Sequence, residues 1–219
     1  MKLTERMHAA AADIWKACLE HPFVQGIGDG TLDVEKFRYF MLQDYLYLFD
    51  YARVFALGVV KAREPELMRT FARNVDTILG GEMKIHRAYM ARLGIAEAQV
   101  FTVQPALDNL SYTHYMLAAA EAGGPMEIVA AILACSWSYA EIGQALDRIT
   151  GAAEHPFYGE WVRGYASEDY AQTNEALIEL MDQLAEGCTE AQAVRLVEIF
   201  VNCSRYELGF WDMAWEIRS

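Results

Sequence analysis

Cys135 lies in the stretch Ile132-Leu133-Ala134-Cys135-Ser136-Trp137-Ser138-Tyr139, where a helix would place Cys135 and Tyr139 on adjacent turns of one face. A thiol in that position can act as a nucleophile, and a phenol one turn away can hydrogen-bond the molecule under attack. The ordinary reading is an inert core cysteine, and no histidine stands within a turn to serve as its base. Near the C-terminus Glu207 is flanked by Tyr206, Phe210, Trp211 and Trp215. A carboxyl held among aromatic rings has a raised pKa and carries a proton near neutral pH, as a general acid must; its ordinary reading is the wet edge of an aromatic core helix. Asp44, Tyr47 and Tyr51 fall at i, i+3 and i+7 and share one helical stripe. They form either a ligand-facing row or a packing face with a solvated aspartate.

Metal chemistry has weaker support. Glu82 and His86 stand at i, i+4, and helical Glu and His pairs do build di-iron sites. A complete site needs a second such pair, yet Ser111 and Ala152 occupy the positions three residues before His114 and His155. An ordinary helix ion pair between Glu82 and His86 is therefore expected. His8, His21, His114 and His155 make no two-histidine zinc motif. Cys18, Cys135, Cys188 and Cys203 make no C-x-x-C pair and are expected as free thiols.

The elements that must position these groups read as helices. Of 219 residues, 54% are hydrophobic and 22% charged, enough to bury one core, and the five Pro and fifteen Gly fall mostly between periodic stretches. Met7, Ile14, Trp15, Cys18 and Leu19 share one face of a first helix, which His21-Pro22-Phe23 should break. Gly26-Ile27-Gly28-Asp29-Gly30 then reads as a turn-rich loop; it follows a helix and not a strand, so it is not read as a phosphate cradle. Further helices are expected over 33–62, 65–93 with a kink at Gly80-Gly81, 105–122, 125–150, 156–164 and 168–186, and from the Thr189 to Gln192 capping box almost to the C-terminus. His155-Pro156-Phe157 echoes His21-Pro22-Phe23, either as an old repeat or as independent use of Pro. No linker divides the chain, so one helical bundle over residues 1–219 is expected.

A formal charge of −13 disfavours nucleic-acid partners, because phosphate binding draws on clustered Lys and Arg. The charges scattered through Met1 to Glu20 leave no apolar core for a secretory signal, which points to the cytosol. No stretch is read as spanning a membrane, since even Phe55 to Val60 is closed off by Lys61 and Arg63.

Along nearly its whole length the chain resembles the thiaminase II, or TenA-type, family. The resemblance is carried by His21-Pro22-Phe23-Val24, Gly28-Asp29-Gly30-Thr31-Leu32, Phe40-Met41-Leu42-Gln43-Asp44-Tyr45-Leu46-Tyr47-Leu48, Tyr112-Thr113-His114-Tyr115-Met116, Cys135-Ser136-Trp137-Ser138-Tyr139, Trp161-Val162-Arg163-Gly164-Tyr165 and Glu207-Leu208-Gly209-Phe210-Trp211-Asp212-Met213-Ala214, in the family's order. It implies a haem-oxygenase-like all-α fold and a homotetramer. It also implies hydrolysis of 4-amino-5-aminomethyl-2-methylpyrimidine to the 5-hydroxymethyl compound, with thiamin as a further substrate and no metal or organic cofactor. Cys135 places the chain in the branch that keeps an active-site cysteine. By the same matching Glu207 is the proton donor, Asp44 holds the pyrimidine amino group, and Tyr47, Tyr112, Tyr139 and Tyr165 line the pocket.

The residue types suit that assignment. An aminopyrimidine is electron-poor, so a thiolate can add to its C6 once Glu207 protonates a ring nitrogen. Two other readings compete: haem or di-iron binding on the same fold, and a binding protein that holds a pyrimidine without turning it over.

Overall fold

Several of the long helices start where the chain supplies a cap or a proline. The computed structural model describes residues 1–218. Their order is α1 (Leu3–Leu19), α2 (Pro22–Gly28), α3 (Val34–Lys61), α4 (Pro65–Asp76), a π-helical stretch (Thr77–Glu82), α5 (Met83–Arg92), α6 (Glu97–Val100), α7 (Leu107–Ala122), α8 (Pro125–Asp147), α9 (Gly159–Ala166), α10 (Glu168–Leu184) and α11 (Glu190–Glu216). Among the described residues there is no strand. The Asp33 carboxylate accepts from the Glu35 N–H at 2.9 Å and opens α3, Ser167 does the same for α10 at 3.2 Å, and Thr189 with Gln192 forms the box that opens α11. Pro65 and Pro125 occupy first helical positions, where a missing N–H costs nothing.

The expected break after α1 is sharper than a loop. His21-Pro22-Phe23 starts a new helix that runs through Gly28, so the glycine string is helical until the turn at Asp29 and Gly30. The reason is a cap that sequence spacing did not show: His21 Nδ1 accepts from the Phe23 N–H at 3.1 Å. His155 makes the same use of its ring, with Nδ1 accepting from the Phe157 and Tyr158 N–H groups at 3.2 and 3.0 Å. The two His-Pro-Phe strings thus share a local physical purpose. They also meet, because Gly30, at φ +77°, lets the His155 ring lie where a Cβ would sit 2.7 Å from it.

The core is built around α8, which packs against α11, α9, α10, α7 and α3. Every side chain from Ile128 to Ala134 is buried. By length and composition α8 is apolar enough to cross a membrane, contrary to the expectation that no stretch would be, yet 67% of that span is buried inside the protein. α1 lies along α11, and α3 is flanked by α4 and α7. Aromatic rings fill the join between α2, α3 and α11, where Phe40 stacks on Trp211 with centroids 5.4 Å apart and Phe23 lies against both.

α9 comes close enough to α8 to matter for the interior. A Cβ on Gly143 would sit 2.5 Å from the Tyr165 carbonyl carbon, so the backbone of α9 rests directly on this glycine. Gly143→Ala is expected to push α9 outward, lowering stability by about 1–3 kcal/mol in a denaturant titration, the usual cost of overpacking a filled site. An unchanged midpoint would mean that α9 yields without cost.

Candidate active site

Seven helical segments each send a polar side chain into the same interior region. α3 supplies Asp44, Tyr47 and Tyr51 from one stripe, α8 supplies Cys135 and Tyr139, α7 supplies Tyr112, α11 supplies Glu207, and α9 supplies Tyr165. The π-helical stretch and α5 add Glu82 and His86.

These side chains form two linked groups. In the first, Tyr112 Oη donates to Glu207 Oε1 at 2.6 Å. Glu207 is close enough to Cys135 for the two groups to act on one another, and so is Tyr47, whose hydroxyl donates to Met116 Sδ at 3.7 Å. The base that no nearby histidine supplies is therefore brought by the fold from α11. Burial pushes the Glu207 carboxyl up to about 7, against the opposing pull of its Tyr112 bond. Burial also drives the Cys135 thiol well above its ordinary value; the negative charge of Glu207 adds to this, and the Tyr47 hydroxyl works against it. The resting state at neutral pH is thus a thiol beside a carboxyl that exchanges its proton easily.

In the second group His86 Nδ1 donates to the Glu82 carbonyl at 3.1 Å, and its Nε2 lies 2.6 Å from Asp44 Oδ2. A carbonyl only accepts, so Nδ1 carries hydrogen, and one further proton lies between Nε2 and the carboxylate. Burial alone would lower the His86 pKa, but the bond to Asp44 and the charges of Asp44 and Glu82 outweigh it and raise it. The pair is an imidazolium against a carboxylate. The Glu82 carboxyl itself accepts from Tyr165 Oη at 3.3 Å. The expected Glu82–His86 helix ion pair does not form: His86 is buried and Glu82 half-buried, and their side chains bond Asp44 and Tyr165 instead. The cause is the π-helical turn at Gly80 and Gly81, which adds a residue to the helical register just before Glu82. Among the described residues, no group of three His, Cys, Asp or Glu side chains is placed to hold a metal ion.

Tyrosine rings join the two groups. Tyr47 stacks on Tyr51 with centroids 5.4 Å apart and lies 5.2 Å from Tyr112, while Tyr139 sits 4.9 Å from Tyr165 and 5.3 Å from Trp211. Burial raises the hydroxyl pKa of Tyr47, Tyr112, Tyr139 and Tyr165 well above the ordinary value, so these phenols stay neutral. A cavity of about 360 Å³ opens between α3, the π-helical stretch, α5, α9 and α10, lined by Tyr51, Glu82, His86, Trp161, Tyr165 and Tyr170 among others. Of the residues singled out in the sequence for the pocket, Tyr165 is on this wall. Asp44, Tyr47, Tyr139 and Cys135 stand one contact behind it, through His86, Tyr51, Tyr165 and the neighbouring Ser136. Sequence reasoning missed Tyr170 and left Glu82 and His86 outside the site; their only signal was an inward-facing register that the π turn conceals.

An all-helical bundle with a thiol, a proton-carrying carboxyl and a cage of phenols at its centre defines a small-molecule site on a haem-oxygenase-like fold. That fold is shared with a domain from Shewanella denitrificans, described as having a heme oxygenase-like fold, at a TM-score of 0.78 with 17% identity over 99% of this chain and 93% of that one. The particular family is equally plain: residues 8–217 match the TENA/THI-4/PQQC family, and the chain belongs to it. A protein from Halalkalibacterium halodurans named aminopyrimidine aminohydrolase is 46% identical over 100% of this chain and 97% of its own length. The solved TenA homologue from P. horikoshii superposes at a TM-score of 0.91 with 32% identity, covering 99% of both chains.

Proposed function

We propose that this protein hydrolyses 4-amino-5-aminomethyl-2-methylpyrimidine to its 5-hydroxymethyl counterpart, and cleaves thiamin, by covalent catalysis at Cys135. The observation that carries this reading is the carboxyl of Glu207, pushed up to about 7 by burial, bonded to Tyr112 at 2.6 Å and within reach of the Cys135 thiol. Its relative from H. halodurans, named for the same activity, supports the substrate class.

Glu207 gives its proton to a ring nitrogen as the Cys135 sulfur bonds to C6, and receives the thiol's proton in exchange, so the carboxyl ends the step neutral. The added electron pair on the ring then expels the substituent on the 5-methylene. Water adds to the exposed methylene, the C6–S bond breaks, and the ring regains its aromaticity with return of the nitrogen's proton. Asp44 accepts from the 4-amino group with the oxygen not facing His86, and the tyrosines stack on the ring and donate to it. Release of ammonia from the aminomethylpyrimidine, measured beside thiamin cleavage, tests the reading. Failure of both reactions would leave a binding protein. The ratio of their kcat/KM values ranks the substrates. The same reading carries the family's homotetramer and a cytosolic setting, which sedimentation and fractionation would check.

Asp44→Asn keeps the shape but has one acceptor oxygen where the carboxylate has two, so either the 4-amino group or the His86 ring is left facing an NH₂. KM is expected to rise by about tenfold or more, in line with 1–3 kcal/mol for a buried donor left without an acceptor. Unchanged KM and kcat would make the aspartate structural.

A further inference from the structure

The π-helical turn puts a carboxyl on the cavity wall, and the mechanism above makes no use of it. Glu82 lines the cavity, bonds Tyr165, and is close enough to Cys135 and Asp44 for their charges to act on one another. It is also poorly compensated. The residues lining the cavity include no Lys or Arg. His86, the one basic group on that wall, is engaged by Asp44 at 2.6 Å. Glu160, a second acid on the wall, is answered by Arg92 from outside at 2.6 Å, while Asp169 lies exposed at the rim. A half-buried carboxylate whose nearest basic group, the His86 ring, is already engaged by Asp44 is costly, and an incoming cation offsets that cost.

We propose that Glu82 is the specificity residue of this cavity and that its carboxylate holds the cationic substituent on C5 of the aminopyrimidine. The inference rests on the substrate reading above. The aminomethyl group is an alkylamine and is protonated at neutral pH, and the thiazolium of thiamin carries a permanent charge. Both substrates therefore present a cation at the same place on the ring. The hydroxymethyl product is neutral there. Ring contacts with Asp44, Glu207 and the tyrosines are common to substrate and product, so discrimination between them falls to the group that meets the 5-substituent. Loss of the charge on turnover weakens the hold on product and clears the site.

The test compares equilibrium binding of the aminomethyl and hydroxymethyl pyrimidines in the Cys135→Ser background, with and without Glu82→Gln. Without the Glu82 change the aminomethyl ligand is expected to bind about tenfold tighter or more, the range of a charge-assisted contact in a buried site. Glu82→Gln should bring the ratio close to one through weaker binding of the aminomethyl ligand, leaving the hydroxymethyl affinity nearly constant. Glu82→Asp, which keeps the charge, should retain part of the preference. Equal affinities without the Glu82 change, or an equal loss for both ligands in Glu82→Gln, would overturn the assignment and leave Glu82 a structural partner of Tyr165. The first of these outcomes is read without any substitution at Glu82, so a variant that fails to fold does not shelter the proposal. Binding of neither ligand would instead remove the substrate reading, and this inference with it.

Discussion

Cys135→Ser is expected to fold, to bind aminopyrimidine, and to lose turnover by a factor on the order of 10³ to 10⁶, the range reached when a covalent nucleophile is removed. The size of the loss follows from the surroundings of the sulfur. Burial and the Glu207 charge already hold the thiol protonated, so attack requires the proton to leave as the C–S bond forms. A thiol can surrender it to a carboxyl of pKa about 7; a serine hydroxyl, several units less acidic still, cannot do so at a useful rate. Mass spectrometry of the wild-type protein quenched during turnover should show a pyrimidine adduct that the variant lacks. Wild-type kcat in Cys135→Ser would end the nucleophile assignment. Cys18 and Cys203 are buried within reach of the Glu207 charge and Cys188 is half-buried just before α11; none is assigned a bond to the substrate, so their serine variants should keep activity per folded molecule even where stability falls.

Glu207→Gln should reduce kcat by about 10²- to 10⁴-fold, the usual weight of a general acid, with a smaller change in KM. The amide still accepts from Tyr112 but has no proton to give. In the wild type the protonated form is the active one, so kcat should fall as pH rises through about 7, and that alkaline limb should vanish in the variant. The titration of Cys135 couples to the same limb, so the comparison of the two profiles, not one midpoint, is decisive. Stability supplies a separate reading with a defined sign. A carboxyl whose pKa is higher folded than unfolded contributes stability in full below the unfolded value and loses it as pH rises through the folded one. Between about 4.5 and about 7 the wild type should therefore lose stability relative to Glu207→Gln as pH increases. Parallel stability curves would show that Glu207 is not held protonated by burial.

Most of the scaffold was legible because its signals are local. Pro65, Pro125, Asp33 and Thr189 mark helix starts through backbone chemistry that needs no partner from elsewhere in the chain, and the observed ends of α3, α8 and α11 lie within a few residues of those expected. His21 was misread for a related reason. Its neighbour Pro22 announces a boundary, but only the ring geometry reveals that the boundary is immediately a new start. The site was legible in part. The stripe of Asp44, Tyr47 and Tyr51 follows from helical period alone, whereas the meeting of Cys135 with Glu207 joins positions on α8 and α11 that no spacing rule connects. The resemblance to a known family placed those two residues together. Glu82 and His86 show the opposite case: at i, i+4 they look the same whether they face solvent or the interior, and the extra residue of the π turn decides which.

The apolar run of α8 has a consequence for the birth of the chain. Synthesis proceeds from the N-terminus at roughly 5–20 residues per second, so α8 leaves the ribosome before its partners α9, α10 and α11 exist. For several seconds, while about forty further residues are added before α11 begins, the nascent protein presents its most hydrophobic helix with one side uncovered. α3 and α7 are already made by then and can shelter the other side. α11, which brings Glu207, is translated after α8, α9 and α10 and packs against α8, so the carboxyl reaches Cys135 only once those helices have been made.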